Sequence, residues 1–272
     1  MVDIDAAIGF VVAKGDVVER ARLAWLRKGT EPQPDVLAKA ELGQAPEGGW
    51  PAVWGQVPSV DATCFHLAEL ADLGALGRPP ARRALDWLAA GQRPDGTWQE
   101  DESLAEEAPA WARPGDPEAT LYLTASAAYW LSAAGLDARA AAPPDERVAG
   151  AYAEVVASAA RAIAGALRPD GSWPSFLATG WLGAAVLYRQ EMYYESARMQ
   201  MVLSDRLPDM SPADLASLAA GLRRVGVRDT DWLPVAARRR LGQTQRTDGG
   251  WPSDDGPAFD VHTTLAVIRA SG

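Results

Sequence analysis

Three segments of the sequence carry an ionisable residue at the same distance before a threonine. Each stands two residues before its threonine, in the segments Asp61-Ala-Thr63, Glu118-Ala-Thr120 and His262-Thr-Thr264. Two of these positions are themselves preceded, two residues earlier, by a further acid, Asp116 and Asp260. A carboxyl group that is buried among apolar helices has a raised pKa and keeps its proton, as a general acid must. The sequence therefore predicts a proton-donating site drawn from Asp61, Glu118, His262, Asp116 and Asp260.

Asp61 is the first candidate for the acid, because alanine and valine flank it and no second carboxylate lies within two residues. His262 would orient the acid or return its proton. The structural alternative is that the aspartates and threonines of these segments cap their helices, each contributing about 1 kcal/mol.

Several aromatic residues lie on or beside predicted helices and the loops that lead into them. Aromatic faces attract cations and give apolar contact. We predict that four of them contact the substrate: Trp54, Trp111, Tyr122 and Trp181. The alternative is that they fill the interior as ordinary core residues.

A Q-x-x-x-G-x-W motif occurs three times, at residues 44–50, 92–98 and 245–251. A fourth copy at 167–173 has leucine in place of the glutamine. The glycine allows a left-handed turn after a helix, the glutamine can bind carbonyls at the end of the preceding helix, and the tryptophan can fill the space between units. Internal repeats of this kind predict a stacked or closed array of similar units.

The segments between the motifs have helical patterns, and none reads as a strand. More apolar, inner helices are predicted near 15–28, 59–74, 117–135, 174–190, 211–225 and 260–271. Outer helices are predicted near 3–13, 33–43, 79–93, 146–167, 191–206 and 232–244. These elements predict an all-α fold, a single α6/α6 toroid over residues 1–272. The inner helices would then begin at one end, where their dipoles favour acidic groups.

Motifs of this type, joined to alternating inner and outer helices, resemble the terpenoid cyclase and protein prenyltransferase toroid family, which includes squalene–hopene cyclase. In the class II cyclases of that family, the middle aspartate of a D-x-D-D-T motif protonates an alkene or epoxide. Ser59 stands at the first acid position of one copy here, alanine stands at the last in two copies, and His262 takes the middle position of the third.

The resemblance implies a terpenoid-cyclase-like enzyme that cyclises an isoprenoid or another apolar alkene by protonation. The alternative function is a non-catalytic toroid that binds an apolar ligand or acts as a partner subunit. Cyclases of this family usually join two α-domains, so a homodimer or a second subunit is an accompanying expectation.

Protein prenyltransferases resemble this fold too, and they hold zinc with Asp, Cys and His. Asp61, Cys64 and His66 have the right types, but His66 lies five residues from Asp61 and points to another side of the helix. Phosphate-binding and dinucleotide-binding fingerprints are also missing from the sequence, as is a D-D-x-x-D motif. We therefore expect no metal and no cofactor.

The net charge of −10 disfavours nucleic acid as a partner. No stretch approaches the roughly 20 apolar residues that span a bilayer. With one cysteine and no signal-peptide pattern, the expected location is the cytoplasm. Residues 99–116 form an acidic insertion, which is either a solvated surface loop or a lid with Trp111 as its apolar latch.

Overall fold

The computed structural model describes residues 2–139 and 150–271, and in these residues the chain forms twelve α-helices. The helices are α1 (Ile4–Lys14), α2 (Val17–Lys28), α3 (Pro34–Ala40), α4 (Val60–Asp72), α5 (Pro79–Ala90), α6 (Pro117–Arg139), α7 (Ala153–Ala166), α8 (Leu177–Arg189), α9 (Tyr193–Arg206), α10 (Pro212–Arg224), α11 (Trp232–Thr244) and α12 (Asp260–Ser271). Two short strands, β1 (Trp50–Pro51) and β2 (Pro58–Ser59), pair antiparallel ahead of α4.

Each predicted helix has a counterpart among these twelve, with ends that differ by a few residues. The outer helix predicted over 33–43 ends early, at Ala40, and the inner helix predicted over 117–135 continues to Arg139. The predicted start of the outer helix at 146–149 lies outside the described residues. The β1–β2 pair was not predicted, because two-residue strands carry no alternating pattern to detect.

The described residues fall into two compact units. One comprises 2–40, 72–74 and 200–271, and in it α12 packs against α1, α2, α10 and α11. The other comprises 41–71, 75–139 and 150–199, and in it α6 packs against α5, α7 and α8. A single domain over 1–272 stays a prediction.

The motif tryptophans Trp98 and Trp251 each tie an outer helix to the inner helix that follows it. Trp98 is 1% exposed, and its indole N–H donates to the carbonyl of Leu88 near the end of α5, at 2.7 Å. Its backbone N–H donates to the hydroxyl of Thr124 in α6, at 3.1 Å. Equivalent pairs of bonds join Trp50 to Leu42 and Thr63, and Trp251 to Leu241 and Thr264. The threonines of the inner helices are therefore anchors for the tryptophan turns.

The motif glutamines bind their own turn and the start of the neighbouring outer helix, rather than the end of the preceding helix as predicted. Gln92 donates to the carbonyl of Gly96 in its own turn and to Val155 in α7. Gln245 likewise donates to its own turn and to Asp3, which caps α1. In the copy that lacks glutamine, Arg198 of α9 donates to two turn carbonyls, at Arg168 and Pro169. Each turn is thus fastened to the next outer helix.

The motif glycines sit directly against that next outer helix. Gly96 has φ +85°, and a Cβ added there would lie 2.7 Å from the carbonyl oxygen of Ser158 in α7. We expect Gly96→Ala to cost roughly 1–2 kcal/mol for the left-handed backbone and about 1–3 kcal/mol more for the steric conflict. Gly226→Ala is the matched control, because Gly226 has φ +90° but nothing within 4 Å of an added Cβ.

Urea denaturation of the two glycine variants measures the difference. A loss of unfolding free energy that is no larger for Gly96→Ala than for Gly226→Ala would contradict close docking of the turn on α7.

Candidate acid site

Asp61, the first candidate from the sequence, is the second residue of α4 and is partly buried. Its Oδ1 accepts a hydrogen bond from the hydroxyl of Tyr122 in α6, and its Oδ2 accepts one from the indole N–H of Trp111, both at 3.1 Å. Burial raises the pKa of Asp61 above its ordinary value, and the two hydrogen bonds only partly oppose that rise. Burial and the nearby Asp61 carboxyl raise the pKa of Tyr122 in turn, so its hydroxyl remains a donor. Asp61 therefore combines desolvation with two donors.

A second carboxyl group, on Glu100, supports the first turn of α4 and was missed by the sequence analysis. Glu100 is 2% exposed. Its Oε1 accepts from the hydroxyl of Ser59 at 2.8 Å and from the backbone N–H of Asp61 at 2.9 Å, and its Oε2 accepts from the N–H of Val60 at 2.8 Å. These are N–H groups at a helix start, which have no partner within the helix. Glu100 thus caps α4 from a distant segment.

Burial raises the pKa of Glu100 to about 7, against the effect of its three donors. Because the folded pKa lies above the ordinary value of 4.5, this group's contribution to stability is complete below about pH 4.5. That contribution is lost as the pH rises through about 7. We expect the unfolding free energy of the wild type, relative to Glu100→Gln, to fall between pH 5 and pH 8.

Urea titrations of both proteins at several pH values in this range test the expectation, with the exposed Glu106→Gln as a control for general charge effects. A difference between wild type and Glu100→Gln that stays constant with pH would show that Glu100 does not titrate there.

In α6, the sequence comparison aligned the ionisable residue and its threonine one helical turn too early. The tryptophan turns bind Thr63, Thr124 and Thr264, so Thr124 rather than Thr120 is the equivalent threonine. Two residues before these threonines stand Asp61, Tyr122 and His262. Glu118 lies one turn earlier and exposes its side chain. The error arose because two threonines stand four residues apart in this helix, and the sequence pattern matched the wrong one.

Asp116 and Asp260 stand at the starts of their helices. The Oδ1 of Asp116 accepts from the backbone N–H groups of Glu118 and Ala119, at 2.8 and 3.1 Å, and so caps α6. Asp260 is buried at the start of α12, where its Oδ2 pairs with Arg246 at 2.6 Å and its Oδ1 accepts from the N–H of Ser253. The contacts of Asp116 match the capping alternative, whereas Asp260 fastens the preceding loop to the start of α12.

His262 belongs to a buried charged cluster in the unit that contains α2 and α12. Its Nδ1 lies 3.0 Å from Nη1 of Arg22, which can only donate, so this ring nitrogen accepts. Burial and the charge of Arg22 lower the pKa of His262 to about 4, so its ring is neutral at neutral pH. Arg22 also pairs with the fully buried Asp72 at 2.7 Å, and Arg269 does so at 2.5 Å. Burial would raise the pKa of Asp72, but the charges of Arg269 and Arg22 outweigh it and lower that pKa.

The predicted aromatic residues divide into two groups. Trp111 and Tyr122 bind Asp61 directly. Trp54 packs against the insertion 99–116, and Trp181 is buried in α8.

Two further aromatic residues extend the surroundings of Asp61 and Tyr122, and the sequence analysis missed both. Phe65 is 54% exposed and follows Asp61 by one turn on the same face of α4, a spacing that the sequence displays. Phe176 meets the ring of Tyr122 edge to face, with centroids 6.2 Å apart.

The insertion 99–116 is fastened to the protein along its length. Leu104, Ala108 and Ala112 form a buried apolar cluster with Trp54 and Val57 packed against it. Trp111 is 45% exposed, and its fixed contact is the polar one to Asp61. The indole N–H of Trp111 thus fastens the insertion to Asp61, and its role as an apolar latch stays a prediction.

In the parts of the chain that the structure describes, no three His, Cys, Asp or Glu side chains converge on a metal-sized site. Burial raises the pKa of Cys64, which disfavours the thiolate that zinc requires. Across residues 2–139 and 150–271, no helix combines the length and the apolarity needed to cross a membrane.

No family model and no curated protein matches the sequence. Solved structures do match. A crystal structure of a protein from Actinoplanes aligns with 98% of this chain and 97% of its own, at 17% identity and a TM-score of 0.61.

Type II terpene cyclase MstE from Scytonema also matches, over 98% of this chain. A variant in complex with its product, merosterolic acid A, is 16% identical with a TM-score of 0.57 and 94% of its chain covered. A variant in complex with its substrate, geranylgeranyl dihydroxybenzoate, is 16% identical with a TM-score of 0.56 and 95% covered. The chain therefore has the all-α toroid fold of a type II terpene cyclase, as predicted.

Proposed function

We propose that this protein is an enzyme that cyclises an isoprenoid by protonating a carbon–carbon double bond, with Asp61 as the proton donor. The observation that carries the proposal is the environment of the Asp61 carboxyl group. Desolvation raises its pKa, which favours the protonated form before reaction. The bonds from Tyr122 and Trp111 stabilise the carboxylate that remains after the proton has left.

Each carboxyl oxygen has two lone-pair directions, so one can carry the proton while the other accepts from Tyr122 or Trp111. The proton would move from Asp61 to the CH carbon of the terminal double bond, leaving a tertiary carbocation on the adjacent carbon that bears the two methyl groups. The next double bond along the chain would then supply its electron pair to close a ring. Loss of a proton from the final cation gives a cyclic isomer of the substrate, and Asp61 regains its proton from water.

Aromatic rings border this acid, as such a reaction needs. Trp111 and Tyr122 contact the carboxyl group itself, Phe176 packs on Tyr122, and Phe65 is exposed one turn along α4. Their faces would attract the carbocation without offering it a nucleophile. The fold shared with MstE supports the same substrate class, an apolar chain of isoprene units.

The test is incubation of the purified protein with geranylgeranyl dihydroxybenzoate, squalene and geranylgeranyl diphosphate, followed by mass spectrometry. The proposal predicts a product with the mass of its substrate and one double bond fewer for each ring formed. Release of diphosphate would contradict it, because that result means ionisation rather than protonation. Saturable binding of these compounds without conversion would favour the non-catalytic alternative, an apolar-ligand-binding toroid or partner subunit.

A further inference from the structure

The insertion 99–116 contacts the first turn of α4 at two points. Near its beginning, Glu100 accepts hydrogen bonds from the backbone of Val60 and Asp61. Near its end, Trp111 donates to the side chain of Asp61. Between them, the apolar cluster of Leu104, Ala108 and Ala112 holds the segment together. The backbone and the side chain of Asp61 are thus held by opposite ends of one segment.

Both carboxyl oxygens of Glu100 act as acceptors. Three donors converge on them: the hydroxyl of Ser59 and the N–H groups of Val60 and Asp61. A glutamine could accept at one oxygen, but its amide nitrogen would then face the N–H of Val60, with two donors opposed in a buried place. Glutamine therefore cannot satisfy all three donors.

We propose that Glu100 is a positioning residue for Asp61: it holds the first turn of α4 against the segment that carries Trp111, so that both oxygens of Asp61 meet their donors. The catalytic meaning of this role rests on the proposed function, whereas its geometric part can be measured without turnover.

The experiment labels the tryptophans with ¹⁵N and follows the indole N–H signals at pH 8, where Glu100 is ionised. Trp111→Phe identifies the signal of Trp111. In Glu100→Gln, this signal should shift and its proton should exchange with solvent about tenfold faster or more, because the contact to Asp61 opens. Glu106→Gln, which removes an exposed carboxylate from the same segment, should leave the signal unchanged. An unchanged Trp111 signal in folded Glu100→Gln would overturn the proposal.

Kinetics separate the two proposals. If the wild type cyclises its substrate, Glu100→Gln should lower kcat with little change in KM, since the acid is misplaced while the apolar surface remains. A Trp111 signal that shifts in Glu100→Gln, together with a wild type that lacks turnover, would support the positioning role and refute the proposed function. Turnover with equal kcat in both proteins would refute the positioning role alone. If Glu100→Gln fails to fold, Ser59→Ala removes one of the three bonds and should shift the Trp111 signal in the same direction.

Discussion

Replacing Asp61 with asparagine should reduce turnover by about 10³-fold or more, the effect of removing a general acid. Asparagine has nearly the same shape but no proton to give to an alkene. Its Oδ1 can still accept from Trp111, and its amide can donate to the hydroxyl of Tyr122, which can turn to accept. The local contacts therefore survive, and the folded state should be nearly as stable as in the wild type.

The measurement pairs kcat with thermal unfolding for Asp61→Asn and for Glu118→Gln. Glu118 is the matched control, because it is also the second residue of an inner helix but is exposed. Its replacement should leave kcat unchanged. If Asp61→Asn loses stability and keeps its turnover, Asp61 is a structural residue and the acid lies elsewhere.

Trp98→Ala and Trp251→Ala should each lower the unfolding free energy by about 3–5 kcal/mol. The two side chains are 1% and 0% exposed, so each truncation leaves a large cavity. It also leaves a helix-end carbonyl, of Leu88 or Leu241, without its indole donor.

Denaturant titration checks this, with Trp232→Ala as the control because Trp232 is exposed at the start of α11. The control should change stability by less than about 1 kcal/mol. If all three variants are equally stable, the motif tryptophans do not join the outer and inner helices, and they become candidates for ligand contact instead.

The helices were predictable from the sequence because their signals are local. Proline and glycine mark the ends, the apolar period marks the faces, and the repeated motif marks each turn. The motif was assigned a structural role, and buried Trp98 and Trp251 agree with it. The predicted binding partner of the motif glutamines was wrong. Gln245 binds the carbonyl of Asp3, 242 residues away, and no local pattern indicates such a partner.

The site was less predictable, because its residues are defined by contacts between distant segments. Asp61 and Tyr122 were both identified as candidates, but their hydrogen bond joins residues that lie 61 positions apart in the sequence. Glu100 belongs to a run of acidic residues, a pattern that is typical of solvated surface. Its position two residues after Trp98 was the signal that could have identified it. His262 was matched to the correct frame, but burial and the charge of Arg22, 240 residues away, make it a neutral acceptor.

Deuterium labelling tests the central claim most directly. The wild type is incubated in D₂O with the substrate it converts, and the cyclic product is analysed by mass spectrometry and NMR. Protonation by Asp61, whose proton exchanges with solvent, predicts a product one mass unit heavier, with the deuterium on the carbon that was the protonated end of the alkene. Asp61→Asn should form no such product, while Glu118→Gln should match the wild type. A cyclic product without deuterium at that carbon would contradict the account.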